Sequence, residues 1–290
     1  AVYVPLGFFL TLALHRLPGR FTAPVLAVLL ATTVSFALET MQTWLPSRVP
    51  SNVDLACNAI GSLVGAVWAQ IVGPRVFNRI AAWQQRLIAP IPHAELGLTL
   101  LGLWLLIPLS PETLLFGAGD LRQLLGLSGA VPFAAESFVV IEASITAFNA
   151  LAVGLIVRLL CARTAQAYLA VPLFILLGLV VRTLATAILV DPGDAFTWLT
   201  PGAQMGLLLA IFGLAVGIAL PATARLMLAA LALMAGAILV NLAPPNPYSA
   251  AALAVWRQGH FLNFNGLTRL IATLWPFLTL PFLMLSARRH

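Results

Sequence analysis

The sequence has 290 residues, of which 61% are hydrophobic and only 8% are charged. Soluble globular domains carry about 25% charged residues, so this composition excludes a soluble globular protein. Apolar runs of about twenty residues recur along the chain and indicate membrane-spanning helices rather than a transmembrane barrel.

The apolar runs predict an all-α, polytopic membrane bundle with nine transmembrane helices. They lie at residues 2–15, 22–44, 53–72, 94–110, 138–160, 167–190, 202–220, 225–243 and 266–286. The first run is broken at His15 and Arg16, which leaves it short for a hydrocarbon layer of about 30 Å. We therefore expect at least one further helix before Ala1, which would bring the full protein to ten spans.

Arginine alternates between successive connections and predicts the membrane orientation. The connections after the first, third, fifth and seventh spans and the C-terminus are rich in arginine, whereas the acidic residues concentrate in the other connections. The positive-inside rule places the arginine-rich set, and with it the C-terminus, in the cytoplasm. Because this topology explains the formal net charge of +6, nucleic acid is not a predicted partner.

The predicted organisation has three parts. Residues 1–72 form an N-terminal membrane core, and residues 94–290 form a further transmembrane bundle. Residues 73–93 separate apolar from basic positions, which indicates an amphipathic helix on the cytoplasmic surface or a linker helix packed on the bundle. Residues 111–137 are predicted to be a re-entrant or interfacial segment on the outer side.

The polar stretch from Ser35 to Gly65 is the first candidate site. It places polar and charged groups on two spans and on the turn between them: Glu39, Gln42, Arg48, Asp54 and Asn58. Three of them have a structural alternative. Asp54 follows Ser51 in a capping-box pattern, the guanidinium of Arg48 is equally suited to neutralising a carboxylate near the turn, and Asn58 is suited to joining two helices.

This spaced set, completed by Gly61 and Gly65 as a close-packing face, resembles the signature of the VanZ-like family of bacterial membrane proteins. The resemblance covers about the first quarter of the chain. It implies a multi-pass protein of the bacterial cytoplasmic (inner) membrane. It also implies an association with resistance to the antibiotic teicoplanin, but it implies no reaction.

A second polar cluster is predicted from Glu142, Arg182 and Arg269, which lie inside predicted spans. A charged residue at the centre of a membrane helix costs about 2.5–3.5 kcal/mol on insertion scales, so each requires a partner or a function. By depth, we expect Glu142 to be the partner of Arg182.

The leading hypothesis is a non-catalytic cell-envelope protein. Its partner would be a membrane lipid, a lipid-linked precursor or a glycopeptide amphiphile. The five residues of the first candidate site would bind this partner from the outer side of the membrane. Two alternatives stay open: a membrane enzyme with Glu39 or Asp54 as general base, and an accessory subunit of a larger membrane complex. No catalytic motif is recognised, no metal-ligand spacing is found, and no cofactor is expected.

Overall fold

The computed structural model describes residues 3–15, 17–42, 52–126, 132–244, 246–247 and 265–287, with side chains described except at 41, 42, 52, 74–85, 123 and 265. The helices in these ranges are α1 (Tyr3–Ala13), α2 (Thr22–Gln42), α3 (Asn52–Leu87), α4 (Ala94–Trp104), α5 (Arg122–Leu125), α6 (Ala135–Leu160), α7 (Thr164–Leu189), α8 (Pro201–Gly217), α9 (Ala222–Leu242) and α10 (Asn265–Ala287). Short 3-10 helices cover Ile107–Leu109 and Pro192–Asp194.

The predicted helical membrane bundle is confirmed. Six helices in the described ranges are long and apolar enough to cross a membrane: α2, α3, α6, α7, α9 and α10. Three shorter apolar helices, at Tyr3–Ala13, Ala94–Leu109 and Pro201–Gly217, coincide with the remaining predicted spans. Their outer surfaces carry exposed leucine, valine and phenylalanine side chains, as expected for helices surrounded by lipid.

The chain divides into two compact units, residues 1–86 and 87–290. This boundary lies beyond the predicted end of the N-terminal core at residue 72, because α3 runs without interruption for 36 residues to Leu87. The predicted amphipathic segment therefore begins as the continuation of a spanning helix. Its predicted surface location stays a prediction, since the side chains of 74–85 are outside the described set.

Close contact between α1 and α3 organises the first unit. A Cβ added to Gly65 would collide with the carbonyl oxygen of Val4, and one added to Gly7 would collide with the backbone of Ser62. Further along, Phe8 packs on Trp68 with ring centroids 5.4 Å apart, so the two helices run in parallel. The predicted close-packing role of Gly65 is thus confirmed, with α1 as its partner.

Helix α6 is the centre of the second unit. It packs against α8, which runs in the same direction, because residues later in α6 contact residues later in α8. Gly206 lies against the Ala143 carbonyl, and Gly217 lies against the Leu155 side chain. Because lipid offers no hydrophobic gain for association, such close backbone approach is a main source of helix–helix attraction in a bundle of this kind.

A non-helical segment between α4 and α5 is buried in the second unit. Ser110, Leu115, Phe116 and Ala118 are each at most 2% exposed. Non-helical backbone at membrane depth is tolerated where protein groups satisfy it. The Gly119 N–H of this segment donates to the Ala272 carbonyl of α10 at 2.7 Å. That carbonyl is free to accept because Pro276, four residues later in α10, lacks an N–H.

Candidate functional site

Within the first unit, a side-chain hydrogen bond joins α2 to α3. The Asn58 amide Nδ2 donates to Ser35 Oγ at 2.9 Å, and the Ser62 hydroxyl donates to the Asn58 carbonyl at 2.6 Å. At the other end of the pair, Gln70 Nε2 donates to the Arg20 carbonyl at 2.6 Å. The two contacts show that α2 and α3 are antiparallel and fix their register.

This register brings the two predicted carboxylates to the same end of the helix pair. Glu39 follows Ser35 by one helical turn, and Asp54 precedes Asn58 by one turn, so both lie one turn beyond the Asn58–Ser35 bond. Asp54 is exposed in the first turn of α3, and Glu39 is half-buried. Both have interaction partners.

Two side chains of the predicted set lie outside the described residues. Arg48 lies in the connection at 43–51, which is outside the described residues, as is Ser51. Gln42 is the last residue of α2, and its side chain is outside the described set. For the first candidate site, the structure therefore describes the side chains of Glu39, Asp54 and Asn58.

In the second unit, Arg182 holds the buried segment that follows α4. Its side chain, 4% exposed, donates from NH1 to the Ser110 carbonyl, and from NH2 to the Pro111 carbonyl at 2.9 Å and the Thr113 carbonyl at 2.6 Å. One guanidinium thus satisfies a run of carbonyls that no helix could satisfy. This explains why an arginine occupies the middle of α7.

Arg269, near the start of α10, forms a two-bond ion pair with Glu112 through Nε and NH2. The Glu112 side chain is 9% exposed, and Asn246 Nδ2 donates to the Glu112 carbonyl at 2.8 Å. Sequence reasoning assigned Glu112 to the charge of an outer connection and missed this pairing. The apolar run that follows it, LLFGAG, was the available signal that the segment enters the protein.

The expected pairing of Arg182 with Glu142 is wrong. Glu142 accepts a hydrogen bond from the Thr200 hydroxyl at 2.7 Å, where Thr200 also caps the start of α8 through Ala203 N–H. Arg182 instead donates to backbone carbonyls of residues 110–113, and Arg269 pairs with the Glu112 carboxylate. The residues of the predicted second cluster therefore fall into two separate groups in this unit: Arg182 and Arg269 bind the segment around Glu112, and Glu142 lies at the α6–α8 contact.

The polar side chains around Glu112 fix the backbone of the non-helical segment between α4 and α5. Arg182 and Arg269 connect α7 and α10 to the segment around Glu112, and Asn241 of α9 donates to the Gly119 carbonyl at 2.7 Å and accepts from Leu121 N–H at 2.9 Å. Within the described residues, no group of three or more histidine, cysteine, aspartate or glutamate side chains is placed to hold a metal ion. In the second unit, the geometry therefore supports a positioning role for this cluster.

Comparison with known proteins found a family match, which lies within the first unit. Residues 1–73 match the VanZ/LLP1 family model, which confirms the resemblance seen in the Glu39–Gly65 signature. The match ends within α3 and leaves the second unit outside it. No curated protein and no solved structure matches the chain.

Proposed function

Starting from the VanZ-like membrane segment at residues 1–73, we propose that this multi-pass protein is a non-catalytic protein of the bacterial cell envelope. It binds an amphiphile, either a membrane lipid, a lipid-linked precursor or a lipoglycopeptide, from the outer side of the cytoplasmic membrane. The binding residues are Glu39, Gln42, Arg48, Asp54 and Asn58. The observation that carries the proposal is the Asn58–Ser35 bond, which puts Glu39 and Asp54 at one end of α2 and α3.

The surroundings of this polar end favour a ligand with both a polar head and an apolar chain. Phe36 and Leu38 precede Glu39 in sequence and are exposed, as is Val53 beside Asp54. A head group would bond to the carboxylates, the Asn58 amide and Arg48. Its chain would then lie along the apolar surface of the same helices.

The amphiphile class follows from the donors and acceptors available. A guanidinium such as that of Arg48 bonds well to phosphate or carboxylate oxygens, and amide side chains suit sugar or peptide groups. Phospholipids, lipid-linked precursors and lipoglycopeptides share this combination of groups. The experiment below distinguishes them by mass.

The test is native mass spectrometry with lipid extraction on the purified full chain. We would compare the wild type with the Asp54→Asn, Arg48→Gln double variant. The matched control is Glu136→Gln, which removes another exposed carboxylate from the first turn of a spanning helix, α6.

A specific amphiphile that co-purifies with the wild type and the control, but is lost from the folded double variant, would support the proposal. Its mass would assign the ligand class. Unchanged amphiphile content combined with a lower melting temperature of the double variant would reject it, since the signature would then only stabilise the helix pair.

A further inference from the structure

The turn between α8 and α9 brings two arginines together at the end of the second unit opposite to Glu142. Arg158, in the last turn of α6, donates from Nε to the Ile218 carbonyl at 3.2 Å and from NH2 to the Thr164 hydroxyl at 2.7 Å. Arg225, in α9, donates from NH1 to the Leu220 carbonyl at 3.0 Å. Their acceptors are thus two residues apart on the same turn.

The positive charge at this turn is not balanced by the hydrogen bonds found there. The side-chain acceptors of Arg158 and Arg225 are neutral carbonyls and a hydroxyl, and the two guanidinium groups repel each other. Arg225 is 9% exposed, and its Nε has no hydrogen-bond partner among the described residues. Buried donors of this kind are normally satisfied.

The start of α9 adds a second source of positive potential. The helix has 21 residues, its N-cap is Pro221 with no side-chain hydrogen bond to the first turn, and no acidic residue lies in that turn. Pro221, Thr223 and Ala224 are exposed, so a ligand can reach the end of the helix. Uncapped helix N-termini bind anions through their free N–H groups and the helix dipole.

We propose that the α8–α9 turn is a binding site for a phosphate group, formed by Arg158, Arg225 and the N-terminus of α9. A phosphate oxygen would accept from the Arg225 guanidinium and from the first-turn N–H groups, while Arg158 supplies the second positive charge. The two sources of this chemistry are the head group of an anionic phospholipid and a soluble phosphate compound. The site is independent of the amphiphile site proposed for the first unit.

Capping of α8 alone does not account for this arrangement. Arginine commonly bonds to the last carbonyls of a helix, and Arg158 does so at Ile218. Arg225 beside it is not needed for this cap: it adds like-charge repulsion, and the Nε of Arg225 has no partner in the described part of the chain. The connection also belongs to the set that the charge pattern predicts to be cytoplasmic, where anionic lipids attract basic pockets between helices.

The first experiment uses the wild-type full chain and measures thermal stability and amide hydrogen exchange in three conditions. These are micelles with phosphatidylglycerol, micelles with phosphatidylcholine, and phosphatidylcholine micelles with inorganic phosphate. We expect phosphatidylglycerol to raise the melting temperature relative to phosphatidylcholine and to protect amides at 158–164 and 218–225. Equal stability and exchange in all three conditions would overturn the proposal, and so would protection spread evenly over the chain.

The inorganic phosphate condition separates the two ligand sources. Protection by phosphate ion alone would assign the site to a soluble phosphate compound, whereas protection by phosphatidylglycerol alone would assign it to a lipid head group. Because these measurements need no variant, the proposal is tested even if a substitution prevents folding.

The second experiment removes one charge. In Arg225→Gln, we expect binding of phosphatidylglycerol to weaken about tenfold, since a charged hydrogen-bond donor to the phosphate is lost. The matched control is Arg20→Gln, which removes an exposed arginine from another connection predicted to be cytoplasmic. Equal weakening in both variants would show that only the total charge matters and would overturn a defined site.

Discussion

The side chain of Asn58 in α3 donates to the hydroxyl of Ser35 in α2, with 2.9 Å between Nδ2 and Oγ. Ser35 is 1% exposed, so the bond is shielded on the α2 side. Together with the Gln70–Arg20 contact, it fixes the register that places Glu39 and Asp54 at a common end. The register of this helix pair is the feature on which the proposed amphiphile site depends.

A double-mutant cycle on Ser35→Ala and Asn58→Ala measures the strength of this bond. Interhelical hydrogen bonds in membrane proteins contribute about 0.6 kcal/mol on average, and we expect a coupling free energy of this size. The measurement is reversible unfolding in mixed micelles. Strictly additive losses of unfolding free energy would show that the two side chains do not stabilise each other.

Glu39→Gln distinguishes the three functional hypotheses because it removes the charge and keeps the shape of the side chain. For a binding protein, we expect the variant to remain folded and to keep much of its bound amphiphile. If Glu39 were a general base, turnover of a lipid-linked substrate would be abolished while binding persisted. Failure of the variant to co-purify with a partner protein, with amphiphile content unchanged, would indicate a subunit role.

The Glu112–Arg269 ion pair predicts non-additive losses of stability. Removing either charge leaves the other without its partner, so Glu112→Gln and Arg269→Gln are each expected to lower the unfolding free energy by about 1–2 kcal/mol. The lower end applies if water screens Arg269, whose side chain is 39% exposed. The double variant should lose less than the sum of the single losses.

Denaturant unfolding of the four proteins in one detergent checks this prediction. Asp194→Asn, which removes an exposed carboxylate, serves as the control and should change little. Additive losses for Glu112 and Arg269 would contradict a direct pair.

Two glycine substitutions, one at the α6–α8 contact and one at an open position of α4, are expected to have opposite effects on stability. In Gly206→Ala, the added methyl group would press on the Ala143 carbonyl and on Thr146, and we expect a loss of about 1–3 kcal/mol from overpacking. In Gly102→Ala, no atom lies within 4 Å of the new Cβ, so the higher helix propensity should stabilise α4 by about 0.5–1 kcal/mol. Melting temperatures that move in the same direction would contradict the packing described for Gly206.

Cys161, just beyond the end of α6, predicts a pH-dependent reaction. Burial raises the pKa of the Cys161 thiol, and the nearby charge of Arg158 lowers it in part. Because only the thiolate reacts, alkylation of a Cys57→Ala protein should be slow at neutral pH and accelerate at a pH above about 8.5, the ordinary thiol value. Removing the Arg158 charge should move the midpoint higher still.

Alkylation rates measured against pH test both statements about Cys161. A midpoint at or below the ordinary thiol value would contradict the effect of burial. An unchanged or lower midpoint in Arg158→Gln would contradict the electrostatic role of Arg158.

Hydrophobic run length was sufficient to predict the helical bundle. The cost of leaving backbone groups unpaired in lipid forces an apolar run of about twenty residues to be a helix. The predicted spans at 138–160 and 167–190 therefore match α6 and α7, with ends that differ by only a few residues. The spaced polar and glycine set from Glu39 to Gly65 also predicted the VanZ-like segment without coordinates.

The tertiary structure decided which polar groups meet. Depth in the membrane suggested that Arg182 would pair with Glu142, but sequence distance carries no information on helix rotation. Arg182 instead bonds to the carbonyls of residues 110–113, and Glu112 meets Arg269, which lies 157 residues later. The apolar run after Glu112 indicated a re-entrant or interfacial segment, but which helices cover that segment depended on packing. The proposed phosphate site at Arg158 and Arg225 likewise depends on how α6, α8 and α9 end beside one another.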